Sequence, residues 1–140
     1  MRLTQTEVGF FDDYDGEEVL EVGLQGTGES GSQRSFSIQR STYQPDEQDV
    51  QNGMDSYCVS TERGLTLYGC LSSVCIGDSL LTLEFREEDA RILGSEILVE
   101  FEIGKSDESR IERAELARKL REVLDWGAED KRPELVGFDG

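Results

Sequence analysis

The sequence predicts an α+β domain: a mainly antiparallel sheet of about six or seven strands, curled towards a sandwich and packed by one long C-terminal helix plus a short helix. Apolar and polar residues alternate with period two through most of residues 18–103, and one helical stripe follows them. The 140 residues suit a single domain over 1–140. We expect its acidic N-terminal segment (1–17) and its tail (128–140) to be loosely ordered.

Strand candidates follow one another at short intervals. The segments that alternate as strands do are 18–24, 34–40, 57–60, 65–70, 72–76, 80–85 and 97–103. Gly64 separates the third segment from the fourth, and Gly77 and Asp78 separate the fifth from the sixth, so both intervals predict hairpins. In the last segment, Leu98 lies opposite the apolar face that begins with Ile97.

Two helices complete the predicted fold. Acidic residues begin the segment 87–94 and Gly94 ends it, which suits a helix of about two turns. The long helix runs from Asp107 to about Trp126, with Ser106 as its candidate N-cap. Its apolar stripe consists of Ile111, Ala114, Ala117, Leu120, Val123 and Leu124. We therefore expect Leu120 and Leu124 to be buried against the sheet.

Charge and composition exclude several classes of function. The chain has 31 acidic and 14 basic residues, a formal net charge of −17. A nucleic-acid-binding module needs a basic surface against phosphates, and an anionic membrane needs one as well, so neither is expected as a partner. The sequence contains no histidine, which removes Ser–His and Cys–His dyads and most zinc sites. We expect no metal and no cofactor, and an enzyme without histidine would have to use carboxylates, lysine or backbone groups.

Cysteine usage and hydropathy predict a cytoplasmic protein. Cys58, Cys70 and Cys75 are odd in number and form no C-x-x-C pair, as is typical of reduced thiols. A bridge between Cys70 and Cys75 stays open as an alternative. The N-terminus has no signal-peptide apolar region, and no apolar run reaches the roughly 18 residues of a membrane helix.

Three motifs resemble ligand sites and fail on a specific requirement. The pattern GTGESG (26–31) matches a dinucleotide fingerprint, but a strand follows it where a helix must hold the pyrophosphate. Gly104 begins a GKS sequence that lacks the first glycine of a P-loop. An EF-hand alignment over 11–22 places Phe11 and Val22 at ligand positions, which excludes calcium. A hairpin loop, a helix start and an acidic turn are the better interpretations.

Four segments carry a resemblance to a known family: FSIQRS (36–41), DEQD (46–49), GMDSYCV (53–59) and YG (68–69). Their order and spacing, together with the strand at 78–85, resemble the Immunity protein 10 family of bacterial polymorphic toxin systems. The resemblance covers about residues 18–103 and is strongest between Gln39 and Cys58. It is weakest in residues 1–17 and in the tail.

The resemblance implies a cytoplasmic protein, encoded beside a toxin, that binds and silences that toxin without catalysis. A charge of −17 would steer encounter with a basic partner, and toxins that cut nucleic acids are typically basic. We therefore expect a nuclease-type toxin domain as the cognate partner. The candidate partner-binding residues are the carboxylates Asp12, Asp13, Asp15, Asp46, Glu47, Asp49 and Asp55, with Tyr57 as an aromatic anchor.

Two other classes of function stay open, as do the identity of the toxin and the oligomeric state. An acidic DNA mimic or adaptor without a dedicated toxin would carry the same charge, and the neighbouring gene distinguishes it. A carboxylate-dependent enzyme or metal site would need two or more side chains to converge in a deep pocket with shifted pKa values. Its candidates are Asp46, Glu47, Asp49 and Asp55.

Overall fold

A computed structural model describes residues 2–11, 19–28, 30–41, 46–53, 55–103 and 107–138. Nine strands lie in these residues: β1 (Arg2–Phe11), β2 (Val19–Gly28), β3 (Gln33–Ser41), β4 (Cys58–Thr61), β5 (Thr66–Tyr68), β6 (Leu71–Ile76), β7 (Leu80–Phe85), β8 (Leu98–Glu102) and β9 (Glu134–Val136). The helices there are α1 (Glu47–Gln51), α2 (Glu87–Leu93), α3 (Asp107–Leu124) and a 3-10 helix (Glu129–Lys131).

All of these strands join one mixed sheet in the order β5-β4-β3-β2-β1-β8-β7-β6-β9. Sequential neighbours pair antiparallel, and both predicted hairpins are confirmed. The β4–β5 hairpin turns at Gly64, whose φ of 78° favours glycine. The β6–β7 hairpin turns after Gly77, whose N–H donates to the carbonyl of Leu80. The predicted loop at 26–31 begins too early, because residues 26–28 are the last residues of β2.

The predicted fold class is wrong. The chain forms a nine-stranded mixed sheet rather than six or seven mainly antiparallel strands, and the long helix α3 packs chiefly against two of those strands, β2 and β3. The two strands that sequence patterning missed, β1 and β9, make the two parallel pairings, β1 with β8 and β6 with β9. Because a parallel pairing joins segments that are distant in sequence, no local turn signal predicts it.

Each terminal segment contains a strand that the sequence did not predict. Arg2–Phe11 form β1 in the interior of the sheet, and Glu134–Val136 form β9 at its edge. Phe138 is 7% exposed and joins the core. A register shift between Gln5 and Glu7 places Leu3 on the same face as Val8 and Phe10, which breaks the period-two pattern that would have revealed β1.

The sheet curls until distant strands meet across one core. The rings of Phe36 on β3 and Phe85 on β7 lie 5.9 Å apart, although the two strands are four places apart in the sheet. A flat sheet would separate them by about 19 Å. Phe101 on β8 also contacts Phe36, at 6.0 Å. Leu120 and Leu124 of α3 are 0% exposed in the same core, as predicted.

Candidate partner-binding surface

The curled sheet presents two different outward faces. Since side chains alternate along a strand, the residues between buried positions point outward, and paired residues on adjacent strands share a face. On β7, β8 and β9 the outward positions include four carboxylates, which we call the acidic face: Glu84, Glu100, Glu102 and Glu134. Arg2 lies beside this face, with guanidinium nitrogens 3.3 Å from Glu100 and 3.7 Å from Glu102.

The other half of the sheet has a row of small residues across five strands. We call this row the small-residue face: Gly9, Gly23, Ser37, Ser60 and Thr66, each paired with the next. A hollow of about 390 Å³ lies over it. The hydroxyls of Ser60 and Thr66 are 2.7 Å apart, and Ser37 donates to Glu21, so the polar groups of this face bind one another.

An apolar cleft lies where α2 leads into β8. The helix ends at Gly94, whose φ of 65° allows the left-handed turn that reverses the chain towards β8. The turn presents Ile97 and Leu98 at 43% and 46% exposure. The cleft measures about 490 Å³, and we call it the Ile97–Leu98 cleft; its lining also includes Glu87, Ala90, Arg91, Ser95 and Glu96.

A second, acid-lined groove lies on the other side of α2. It measures about 560 Å³ and is lined by Tyr68, Gly69, Arg86, Glu87, Glu88, Asp89, Asp130 and Lys131. Burial raises the pKa of Asp89, with a further rise from Glu88 and an opposing effect from Arg86. The Arg86 guanidinium also donates to the backbone carbonyl of Asp130 at 3.2 Å, which joins α2 to the C-terminal segment.

The predicted carboxylates have different surroundings where the structure describes them. Asp12, Asp13 and Asp15 lie outside the described residues. Asp46 and Glu47 are exposed at the start of α1, and Asp49 lies within α1 with its side chain outside the description. Asp46 and Glu47 therefore place carboxylates on the surface near α1.

Asp55 has a structural partner. Its carboxylate bonds with the ammonium of Lys131, and its side chain is 13% exposed. That hydrogen bond is the largest cause of a lowered Asp55 pKa. The Asp55 carbonyl accepts from the N–H of Ala128 at 2.9 Å, and a Cβ at Gly127 would lie 2.2 Å from the same oxygen. Asp55 therefore holds the C-terminal segment against the chain.

Tyr57 is a core residue, which does not fit its predicted role as an exposed aromatic anchor. The side chain is 0% exposed. Its hydroxyl donates to the carbonyl of Leu71 at 3.2 Å and accepts from the N–H of Leu71 at 2.9 Å. Burial raises its pKa. Because Tyr57 precedes β4 and Leu71 begins β6, these bonds join the two ends of the curled sheet.

The thiols and the remaining motifs offer no reactive arrangement in the described residues. Cys58, Cys70 and Cys75 are free thiols, and the first two are buried. Burial raises the pKa of Cys58, and it raises that of Cys70 to about 12. Within the described part of the chain, no three carboxylates or thiols lie close enough together to hold a metal ion. The GKS sequence lies outside the described residues.

Sequence reasoning missed the Ile97–Leu98 cleft. Ile97 was expected on the buried face, but it precedes β8 and is 43% exposed. Leu98 was the available signal, because it is apolar at a position that alternates with buried residues and is followed there by Glu100 and Glu102. The acids of α2 were assigned only to the helix dipole, so their place beside Tyr68 was not foreseen.

Comparison with known proteins identifies the family. The family described as Immunity protein 10 matches residues 4–111, which include β2 to β8 and all but the first two residues of β1. The chain therefore belongs to the Immunity protein 10 family, and the predicted resemblance is confirmed. No curated protein and no solved structure matches the chain. Among the described helices, none is both long enough and apolar enough to cross a membrane.

Proposed function

We propose that this chain binds a cognate toxin domain directly, in a one-to-one complex, and blocks its activity in the cytoplasm of the producing cell. Membership of the Immunity protein 10 family is the observation that supports a toxin partner. In this proposal the chain acts as one folded domain and needs no cofactor. Inhibition of this kind requires a rigid, complementary surface rather than a reactive centre.

The charge of the chain supports a basic partner. Its net charge is −17, and the acidic face sets Glu100 and Glu102 against the single guanidinium of Arg2. A surface of one sign raises the rate of encounter with a surface of the opposite sign. Since nucleases are basic where they hold phosphates, we propose a nuclease-type toxin whose phosphate-binding groups are occupied by carboxylates of this chain.

Association kinetics test the proposal. The purified chain is mixed with a catalytically inactive form of the toxin domain encoded beside it, and the association rate is measured by stopped flow at rising salt. We expect a one-to-one complex whose association rate falls steeply with ionic strength because salt screens the attraction. A rate unchanged by salt contradicts the electrostatic part of the proposal.

Cell growth and enzyme assays test the inhibitory role. Co-expression with the active toxin domain should restore growth, and toxin activity in vitro should reach its minimum at one equivalent of the chain. Inhibition far below one equivalent would indicate that the chain acts catalytically. Equal inhibition of an unrelated nuclease would favour a general DNA mimic instead.

A further inference from the structure

Two large apolar side chains share an exposed cleft beside a surface of carboxylates. Ile97 and Leu98 are 43% and 46% exposed and lie next to each other in the Ile97–Leu98 cleft. Leu98 is paired with Glu84 of β7, so the cleft adjoins the acidic face. On the outward side of β8, Leu98 is followed by Glu100 and Glu102. Leu98 is therefore an apolar residue on a side of the strand that is otherwise acidic.

The rim of the cleft determines what can occupy it. Glu87 and Glu96 line the cleft together with Arg91. The guanidinium of Arg91 lies 3.0 Å from the carboxylate of Glu87, one turn earlier in α2, so this base is already matched by an acid. Glu96 also lines a neighbouring groove together with Arg63, so Glu84 on the adjoining acidic face and the net charge of −17 are what favour a basic partner here. An apolar side chain carried on a basic surface would therefore match both the apolar residues Ile97 and Leu98 in the cleft and the negative charge around it.

Other occupants fit the same cleft less well. A second copy of this chain would bring another net charge of −17 to an acid-rimmed contact, which repels it. An anionic membrane is repelled for the same reason. The cleft is therefore best suited to a partner whose surface is positive.

We propose that the Ile97–Leu98 cleft is the docking point of the basic toxin domain, which inserts an aliphatic or aromatic side chain flanked by lysine or arginine. This inference rests on the proposed function and names the surface that performs it. Buried apolar anchors at the centre of an interface provide much of its affinity, while charged rims mainly set the association rate and the choice of partner.

A substitution that introduces a positive charge inside the cleft tests the proposal. Leu98→Arg places a cation where the basic partner would dock, and its affinity for the inactive toxin domain is measured by calorimetry. We expect the affinity to fall by about tenfold or more. Val50→Arg is the matched control, because Val50 is 57% exposed, lies on α1 outside both the cleft and the acidic face, and follows the carboxylate Glu47 by three residues. Its affinity should stay within about twofold of the parent.

The possible outcomes separate this inference from the proposed function. If the parent chain does not bind the toxin domain, the proposed function fails and the docking site fails with it. If the parent binds but Leu98→Arg binds equally well, or if Val50→Arg loses as much, the docking site is overturned and the proposed function stands.

Two further measurements control for misfolding and for self-association. Circular dichroism and thermal unfolding establish that each variant folds, and Ile97→Arg, at 43% exposure, replaces Leu98→Arg should that variant unfold. Size-exclusion chromatography reports oligomeric state. A dimeric parent that Leu98→Arg converts to a monomer would show that a second copy occupies the cleft, which overturns the proposal.

Discussion

The two outward faces of this sheet share one core and differ in chemistry. The small-residue face, on β1 to β5, carries hydroxyls and glycines whose polar groups bind one another. The acidic face, on β7 to β9, carries four carboxylates and adjoins an exposed apolar cleft. Inward residues of both halves meet at Phe36. The shared core therefore specifies the curl of the sheet, whereas the outward residues specify what each half of the sheet can bind.

The largest expected effect comes from the ring that joins the two halves. Phe36 contacts Phe85 and Phe101 from opposite sides of the core, so Phe36→Ala should lower the free energy of unfolding by about 3–5 kcal/mol. Urea unfolding measures the loss. Ser35→Ala, on the outward side of the same strand, should stay within about 0.5 kcal/mol of the parent. Similar losses for both variants would contradict the shared core.

A smaller effect is expected where the ends of the sheet are joined. Tyr57→Phe removes the hydroxyl that binds both backbone groups of Leu71, leaving a buried N–H without that acceptor. The free energy of unfolding should fall by about 1–3 kcal/mol. Tyr68→Phe is the control, since Tyr68 is 37% exposed at the edge strand β5. Equal unfolding midpoints for Tyr57→Phe and the parent would show that the bonds do not hold the curl together.

The ion pair between Asp55 and Lys131 should make stability depend on pH. The folded state lowers the pKa of Asp55, so the unfolded chain binds protons more readily and the pair contributes stability above the ordinary carboxyl pKa. That contribution, about 1 kcal/mol, should disappear as pH falls from about 5 through the lowered pKa. Thermal unfolding of Asp55→Asn against pH measures it. Lys131→Met, which removes the partner of Asp55, should flatten the profile in the same way, and an unchanged profile in Asp55→Asn would contradict the pair.

The smallest expected effect distinguishes the two faces by charge. Glu100→Gln combined with Glu102→Gln should slow association with the toxin domain by about two- to fivefold at low salt, and the difference should vanish at high salt. Glu21→Gln should leave the rate nearly unchanged because that carboxylate lies beside the small-residue face, away from the acidic face that meets the partner. Equal slowing per charge removed, one in Glu21→Gln and two in the double variant, would mean that net charge alone steers the encounter.

The local pattern of residues predicted the hairpins and the short helix, but it could not predict which distant strands pair. Gly64, Gly77 and Gly94 mark turns that depend on a few adjacent residues, and the structure confirms each. Strand β1 was missed because its bulge between Gln5 and Glu7 moves the apolar residues from odd to even positions. Strand β9 has three residues, too few for any alternation to be visible.

The candidate surface was harder to predict than the fold, for a similar reason. Acidic residues that are close in sequence, such as Asp46 and Glu47, suggested a cluster, whereas the acidic face assembles Glu84, Glu102 and Glu134 from three separate strands. Tyr57 was selected for its aromatic ring, although burial by β6 and β4 gives that ring a structural role. Sequence order alone does not show which carboxylates the sheet brings together.

Carboxylate footprinting of the complex tests the central claim most directly. Glu and Asp side chains are labelled with a soluble carbodiimide and amine, with and without the inactive toxin domain, and the modified residues are identified by mass spectrometry. The account predicts that Glu87 and Glu96, at the rim of the Ile97–Leu98 cleft, lose labelling in the complex while Asp46 and Glu47 keep it. Protection of Asp46 and Glu47 with full labelling at the cleft would contradict it.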